Sequence, residues 1–231
     1  NDFIGLQVGT GAAVYGRGSG DEDKAGLTSN AYYDNNNDRW QHIATKTATN
    51  YYQVSGQHLF QVAPSGTADA AISWNTAMTI DNAGIVTTPY QPAFNVGLSA
   101  AQNNIAASTP VTILFNSEIF DQNHDFNPST YTFTAPVTGK YKLEVMLRLN
   151  NVYQNAGYYH IYFQTSNRAY YSIISQGGFA SDTQYWTMNC PVFADMDSGD
   201  TAFVQIYQAG GTAQTDINSG TESLFSGYLV A

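Results

Sequence analysis

A run of residues in the second half of the chain alternates strictly between two kinds of side chain. The apolar members are Tyr141, Leu143, Val145, Leu147 and Leu149, and most of the intervening positions carry Lys, Glu or Arg. A period of two sustained over about ten residues predicts a β-strand with one buried face and one face in water. A Pro-x-x-Gly turn at residues 136–139 precedes the run. A long strand in a half-buried sheet therefore constrains the fold more than any other feature.

The composition extends this prediction to the whole chain. Charged residues make up 11% of 231 residues and aromatic residues 14%, with 17 Tyr. Few charges, abundant Tyr, Thr, Asn and Gly, and many short alternating runs favour an all-β protein. The net charge of -10 argues against nucleic-acid binding, which requires a basic surface. We find no apolar stretch long enough to cross a membrane and no secretion-signal pattern.

Several elements of the second half resemble, in the expected order, the complement C1q and tumour necrosis factor superfamily. They cover about residues 94–231 and are Phe94–Leu98, Val111–Asn116, Ile119–Asp121, Tyr131–Phe133, Gly139–Tyr141, Gly199–Asp200 and Phe225–Leu229. The resemblance implies a jelly roll, a β-sandwich of the ten-strand type, that assembles as a trimer. The collagen-like Gly-x-y stem of animal members is missing, so complement and hormone functions are not implied.

The first ninety residues differ in character. Glycines recur from Gly9 to Gly20, a pattern that we interpret as closely spaced turns or a narrow stem. The segment of about residues 27–86 is similar to segments of bacteriophage tail-fibre proteins, and Met78 to Val86 predicts a β-hairpin with its turn at residues 81–84. Two prolines within Thr87–Pro92 favour an extended connection. We therefore predict a β-rich stem domain over 1–88 and a jelly-roll head over 93–231.

These resemblances together imply a viral function. We predict a fibre or spike protein on the virion surface, assembled in the host cytoplasm, whose homotrimeric tip attaches to the host cell. Three identical sites convert weak single contacts into strong attachment. The expected partners are further copies of the chain, other fibre or baseplate proteins, and a host receptor or surface glycan. Neither nucleic acid nor membrane insertion is expected.

The densest mixture of aromatic and amide side chains lies between Asn150 and Tyr171. Sugar binding uses this mixture, because rings stack on the apolar side of a pyranose while amides and guanidinium groups bind its hydroxyls. Because strand-joining loops vary and bind, we favour the segment Asn150–Gly157. In the run that follows, Tyr159, Ile161 and Phe163 alternate with Tyr158, His160 and Tyr162. One of these two sets is predicted to be core and the other to lie in water or at a trimer interface. The predicted ligand-binding residues are Asn151, Tyr153, Gln154, Asn155, Tyr158 and Arg168.

Two further features have a chemical and a structural interpretation each. Asp195, Asp197 and Asp200 present three carboxylates that could bind calcium, which is the one cofactor considered. The same segment contains a Gly-Asp turn, in which the Asp only begins the next strand. Cys190 is the single cysteine, so it cannot form an intrachain disulfide, and we predict a buried thiol.

Two other functions compete with attachment. One is a purely structural virion decoration or trimerisation cap without a host ligand. The other is a polysaccharide-degrading tip, which requires two carboxylates about 5 to 10 Å apart. Nothing in the sequence pairs Glu118, Glu144 or Glu222, and the four histidines lack metal-ligand spacing. We therefore predict a protein that is not an enzyme.

Overall fold

The computed structural model of the protein describes residues 3–17 and 23–231. The chain divides into two compact units, Asn1–Tyr90 and Gln91–Ala231, each of which is described by itself. Gly18 and Gly20 of the predicted glycine turns lie outside the described residues. Within the described part, no helix has the length and apolar character needed to span a membrane.

The N-terminal unit is built on one antiparallel sheet of seven strands in the order β1-β2-β3-β6-β7-β8-β9. A separate two-stranded ribbon, β4-β5, completes the unit. Its strands are β1 (Phe3–Val8), β2 (Ala12–Arg17), β3 (Ala25–Ser29), β4 (Ala31–Asp34), β5 (Arg39–His42), β6 (Lys46–Val54), β7 (Gln57–Gly66), β8 (Asn75–Ile80) and β9 (Val86–Thr87).

The ribbon β4-β5 packs on one face of the seven-stranded sheet. Trp40 of the ribbon contacts Tyr15 of β2, with ring centroids 4.9 Å apart. Below them lies a small core of Ala31, Ala48 and Ala63. Trp40, Ile72 and Trp74 pack against these alanines, so much of the apolar surface of this core belongs to half-buried side chains.

The hairpin predicted for Met78 to Val86 is confirmed. Ile80 pairs with Val86, and the Asp81 carboxylate accepts hydrogen bonds from the backbone of Ala83 and Ile85, each 2.9 Å long. Gly84 has a φ of +82°, a conformation that glycine adopts without steric cost. The turn predicted at residues 81–84 is an Asx turn, in which the Asp81 carboxylate sets the geometry of the hairpin.

The C-terminal unit contains twelve described strands. They are β10 (Ala93–Gly97), β11 (Val111–Thr112), β12 (Ser117–Asp121), β13 (Phe126–Asn127), β14 (Thr132–Thr134), β15 (Gly139–Val152), β16 (Tyr158–Thr165), β17 (Ala169–Ser175), β18 (Thr183–Met196), β19 (Thr201–Gln208), β20 (Asp216–Ile217) and β21 (Leu224–Leu229). Short 3₁₀ turns lie at Gln176–Gly178 and Gly220–Glu222.

These strands form two antiparallel sheets that pack face to face. The first sheet has the order β12-β10-β21-β15-β18, with β20 added to β15. The second sheet has the order β13-β14-β19-β16-β17, with β11 added to β19. Ten strands on two principal paths give the all-β jelly-roll sandwich that was predicted.

The core between the two sheets is rich in aromatic side chains. Phe94 of β10 lies at its centre, with ring centroids 4.7 Å from Phe133, 4.9 Å from Phe225 and 5.4 Å from Phe126. The five apolar residues of the alternating run, Tyr141 to Leu149, are fully buried in the same cluster. The long strand predicted from that run is therefore confirmed, and it extends over fourteen residues.

Two details of the sequence prediction were wrong. The segment Val111–Asn116 forms a strand only at Val111–Thr112; Ile113 and Phe115 are buried, but they lie outside any strand. The segment Asn150–Gly157 was predicted to be a loop, yet β15 continues to Val152, and only Tyr153–Gly157 connects the strands. Asn150 pairs with Tyr185 of β18, so backbone pairing extends the strand beyond the alternating run.

Candidate functional site

Five aromatic rings form a continuous surface on the outer face of the second sheet, which we call the aromatic face. Its members are Tyr158, His160, Tyr162, Tyr171 and Tyr207. They come from three adjacent strands, because β16 pairs with β17 on one side and with β19 on the other. The face therefore depends on strand register rather than on sequence neighbours alone.

The alternation of β16 explains which rings reach the face. Tyr159, Ile161 and Phe163 point into the core and are fully buried, whereas Tyr158, His160 and Tyr162 are half-buried on the other side. The prediction that one alternating set is core is thereby confirmed. Register then places Tyr171 opposite Tyr162 and Tyr207 opposite His160.

The rings of the aromatic face touch one another closely. The His160 ring centroid lies 4.4 Å from that of Tyr162 and 4.9 Å from that of Tyr171. Tyr162 and Tyr171 meet edge to face at 5.3 Å, and Tyr158 lies 5.8 Å from Tyr207. Such contacts hold each ring in place, which reduces the conformational entropy that a bound ligand must remove.

The aromatic face is electrically neutral near pH 7. Desolvation lowers the pKa of His160 below its usual value, which favours the neutral imidazole at neutral pH. Burial likewise raises the pKa of Tyr162, which keeps its phenol protonated. Among the described residues, the hydroxyls of Tyr158, Tyr162, Tyr171 and Tyr207 have no protein hydrogen-bond partner. This combination offers ring surfaces and unused hydroxyls to a neutral ligand.

The loop Tyr153–Gly157 lies at the same end of the sandwich as Tyr158. The Tyr159 hydroxyl accepts a 3.0 Å hydrogen bond from the backbone of Tyr153, and Asp182 accepts one of 2.7 Å from the backbone of Gln154. The amide of Gln154 also donates to the carbonyl of Phe179. Asp182 and the Phe179 carbonyl thus hold Gln154 in place at this end.

Two of the amide side chains predicted to bind a ligand have partners within the protein near this loop. Asn155 Nδ2 lies 3.5 Å from Thr212 Oγ1, and Asn151 Nδ2 donates to Asp216 Oδ2 at 3.3 Å. The structure therefore brings Asn151, Tyr153, Gln154 and Asn155 to one end of the sandwich, next to the first residue of β16.

Arg168 lies at the opposite end of β16 from Tyr158, in the turn to β17, so the structure separates it from the other predicted residues. Its guanidinium forms an exposed ion pair with Asp195, 3.0 Å from Nη2 to Oδ2. Asn167 beside it donates to the Asp200 carboxylate at 2.8 Å. Arg168 therefore acts with the Gly-Asp turn and not with the aromatic face.

The three aspartates considered for calcium are used in the turn before β19. The Asp200 carboxylate accepts a 2.8 Å hydrogen bond from the backbone of Asp197, while Asp195 pairs with Arg168. Over residues 3–17 and 23–231, no three His, Cys, Asp or Glu side chains are grouped so that they could hold a metal ion. This geometry gives the calcium prediction no support.

Tyr207 was missed by sequence reasoning, and His160, Tyr162 and Tyr171 were noted without being selected. Tyr207 is separated from Tyr171 by an intervening strand, and nothing local marks it as a neighbour of β16. Its position in the alternating run Thr201–Gln208 is the one available signal, since it lies on the face opposite the buried Val204 and Ile206.

The fold and the aromatic face define the class of protein: a jelly-roll β-sandwich with an exposed, neutral surface suited to binding. The family model of the C1q domain matches residues 93–230. The chain belongs to the C1q domain family.

Solved structures of similar proteins cover the same part of the chain. The globular domain of zebrafish complement 1qA protein is 22% identical, with 61% of this chain and 98% of that chain covered and a TM-score of 0.45. Murine APRIL at pH 8.0 is 12% identical, with 61% and 99% covered and a TM-score of 0.46. No curated protein matches this chain. The similarity of residues 27–86 to phage fibre segments stays a prediction.

Proposed function

We propose that this chain is a virion fibre or spike protein whose C1q head binds a neutral glycan on the host cell surface. The aromatic face is the observation that carries the proposal. Rings with unused hydroxyls can stack on the apolar side of a pyranose and donate to its hydroxyl groups. The absence of formal charge among its five side chains favours a neutral saccharide over an acidic one.

The proposed head is a homotrimer that binds by multivalent contact and performs no chemistry on its ligand. The outer face of the first sheet supplies a suitable seam. Phe120, Tyr185, Phe193 and Tyr228 are each half or more exposed there. Large exposed apolar side chains gathered on one sheet face are typical of an interaction surface. A trimer formed through this face leaves the aromatic face of each copy on the opposite sheet.

Binding to whole bacterial cells tests the glycan proposal. The Tyr162→Ser variant removes the ring that touches His160, Tyr171 and Tyr207 at once. We expect its cell binding to fall at least about tenfold, since a stacking ring contributes on the order of 1 kcal/mol per site and three sites act together. Tyr90→Ser is the matched control, because Tyr90 is also exposed but lies outside both sheets of the head.

The outcomes separate the two candidate functions. Saturable binding that is competed by soluble polysaccharide and lost in Tyr162→Ser supports the adhesin. Equal binding by Tyr162→Ser and wild type would show that the ligand binds outside the aromatic face. A stable trimer that binds no cell in a broad panel would favour the alternative, a structural decoration or trimerisation cap.

A further inference from the structure

The seven-stranded sheet of the N-terminal unit has one covered face and one open face. On the covered face, Tyr15, Thr28, Asn50 and Ala63 are buried beneath the ribbon β4-β5 and its small core. On the open face, Leu6, Val8, Val14, Leu27, Phe60 and Val62 are between 37% and 70% exposed. A sheet with one solvent-exposed face normally has polar side chains on that face. In this sheet the exposed face is apolar instead.

The apolar residues of the open face form a ladder across six strands. Register pairs its members directly with one another from β1 to β8, and they are Leu6, Val14, Leu27, Tyr51, Phe60 and Met78. Directly opposed side chains on neighbouring strands contact each other, so the ladder is one continuous strip.

The rows on either side of the ladder contain no acidic residue, lysine or arginine. One row contains Val8, Ala12, Ser29, Thr49 and Val62, and the other contains Gly16, Ala25, Gln53, His58 and Ile80. Neither row contains Lys, Arg, Asp or Glu. Exposed sheet faces and edges ordinarily carry charged residues that prevent association, and this face has none in its three rows.

The size of the open face is at the lower limit for a protein interface. Six strands, each about 4.8 Å wide, with rows spanning about 17 Å of strand length, give a projected area on the order of 500 Å². Its accessible area is larger than this projection, and a standard interface buries about 800 Å² of accessible surface on each partner. The largest apolar patch on a typical monomer is about 300–600 Å². Two such faces packed together would bury on the order of 1,000 Å², which is the lower bound for a specific interface.

We propose that the open face of the N-terminal sheet packs against the same face of the other copies of this chain. A second copy is the occupant that the face fits best, because it brings an identical uncharged ladder of the same length. The small core of the unit, three alanines with Trp40, Ile72 and Trp74 packed against them, lies on the covered face and leaves the open apolar face unburied, and burying such a face stabilises a sheet. The proposal rests on the self-association in the proposed function and adds a second contact surface to it.

Cross-linking of the full chain tests the proposal. Leu27 lies at the middle of the ladder, so the Leu27→Cys variant places a thiol at the centre of the proposed interface. Asn35→Cys is the matched control, because Asn35 is exposed in the turn of the ribbon on the other side of the sheet. The native Cys190 is buried in both variants. We expect a short bis-maleimide to link copies of Leu27→Cys in at least about tenfold greater yield than copies of Asn35→Cys.

Two companion measurements keep the outcomes separate. Sedimentation of the wild-type chain at micromolar concentration reports self-association, and the rate of monofunctional maleimide labelling reports whether position 27 is in water. If the wild type is a trimer while Leu27→Cys labels as fast as Asn35→Cys and forms no cross-links, the inference is overturned and the proposed function stands. A monomeric wild type would overturn both.

The remaining outcomes also decide the question. A thiol at position 27 that is shielded from maleimide but never cross-linked would mean that another part of the same chain covers the face, against the proposal. If Leu27→Cys fails to fold, Leu6→Cys on the outermost strand of the same ladder is used in its place, since Leu6 is 70% exposed.

Discussion

Gly227 of β21 lies directly opposite Leu143 of β15, and the Leu143 Cδ2 methyl fills the space that a side chain at position 227 would need. A Cβ at Gly227 would also lie 2.9 Å from the Phe94 ring and 3.2 Å from the Lys142 carbonyl oxygen. The closing strand therefore packs against the core of the head at the distance that only glycine permits.

Gly227→Ala is expected to destabilise the C-terminal unit by about 1–3 kcal/mol, because the added methyl overpacks a core whose neighbours include backbone. Guanidinium denaturation monitored by near-UV circular dichroism measures this change. Ser226→Ala, on the outward side of the same strand, serves as the control and is expected to shift stability by no more than about 0.5 kcal/mol. A Gly227→Ala midpoint equal to that of the control would show that the sandwich relaxes locally.

Alkaline pH is expected to destabilise the N-terminal unit through Tyr15. Burial raises the pKa of its phenol from 10.0 to about 12, while its hydroxyl donates to Asn50 Oδ1 at 2.9 Å. Because the folded pKa lies above the unfolded value, the stabilisation is complete below pH 10 and is lost as pH rises from 10 to about 12.

Tyr15→Phe tests that pH dependence. The variant should be less stable than wild type near pH 7 by about 1 kcal/mol, since Asn50 loses a buried donor. Between pH 10 and 12 its stability should decline less steeply than that of wild type. Parallel slopes for the two proteins across this range would assign the alkaline transition to other tyrosines.

The Cys190 thiol is expected to be unreactive in the native protein. It is 4% exposed on the inner face of β18, and burial raises its pKa. A buried, protonated thiol is a poor nucleophile. Ellman's reagent should release less than about a tenth of the stoichiometric amount before unfolding and the full amount in denaturant. Stoichiometric native reaction within minutes would require an opening of the sandwich near this residue.

The ion pair between Arg168 and Asp195 is expected to contribute little to stability. Both side chains are about half exposed, at 54% and 44%. Exposed pairs typically contribute 0 to about 1 kcal/mol. Arg168→Ala should therefore change the free energy of unfolding by less than about 1 kcal/mol and leave cell binding unchanged. A binding defect in this variant would return Arg168 to the ligand site.

Calcium is expected to leave the thermal midpoint of the protein unchanged, because Asp195 and Asp200 already have partners in the described structure. Thermal unfolding in millimolar calcium and in chelator measures the effect. A higher midpoint with calcium that disappears in Asp200→Asn would establish the site considered from the sequence.

The sequence predicted best those elements that depend on one strand at a time. Alternation from Tyr141 to Leu149 gave both the strand and its buried face, and Asp81 with Gly84 gave the hairpin turn. Each signal is local. The face on which a strand side chain lies follows from its odd or even position, and the conformation of a turn follows from the residues within it.

The features that needed strand register were not predictable from one sequence. Tyr207 joins the aromatic face because β19 pairs with β16, and Leu27 joins the open ladder because β3 pairs with both β2 and β6. Alternation along a strand shows that its side chains divide between two faces. Only the pairing of strands shows which residues of distant strands lie on the same face. The separation of Arg168 from Tyr158 has the same origin, because the length of β16 places them at opposite ends.

The last strand of the head, β21, lies between β10 and β15 in the middle of the first sheet. Neither neighbour can complete its hydrogen bonds until residues 224–229 have emerged from the ribosome. Until β21 docks, β10 and β15 expose unpaired edges that invite aggregation. A chain truncated within β21 should therefore be insoluble rather than form a shortened head.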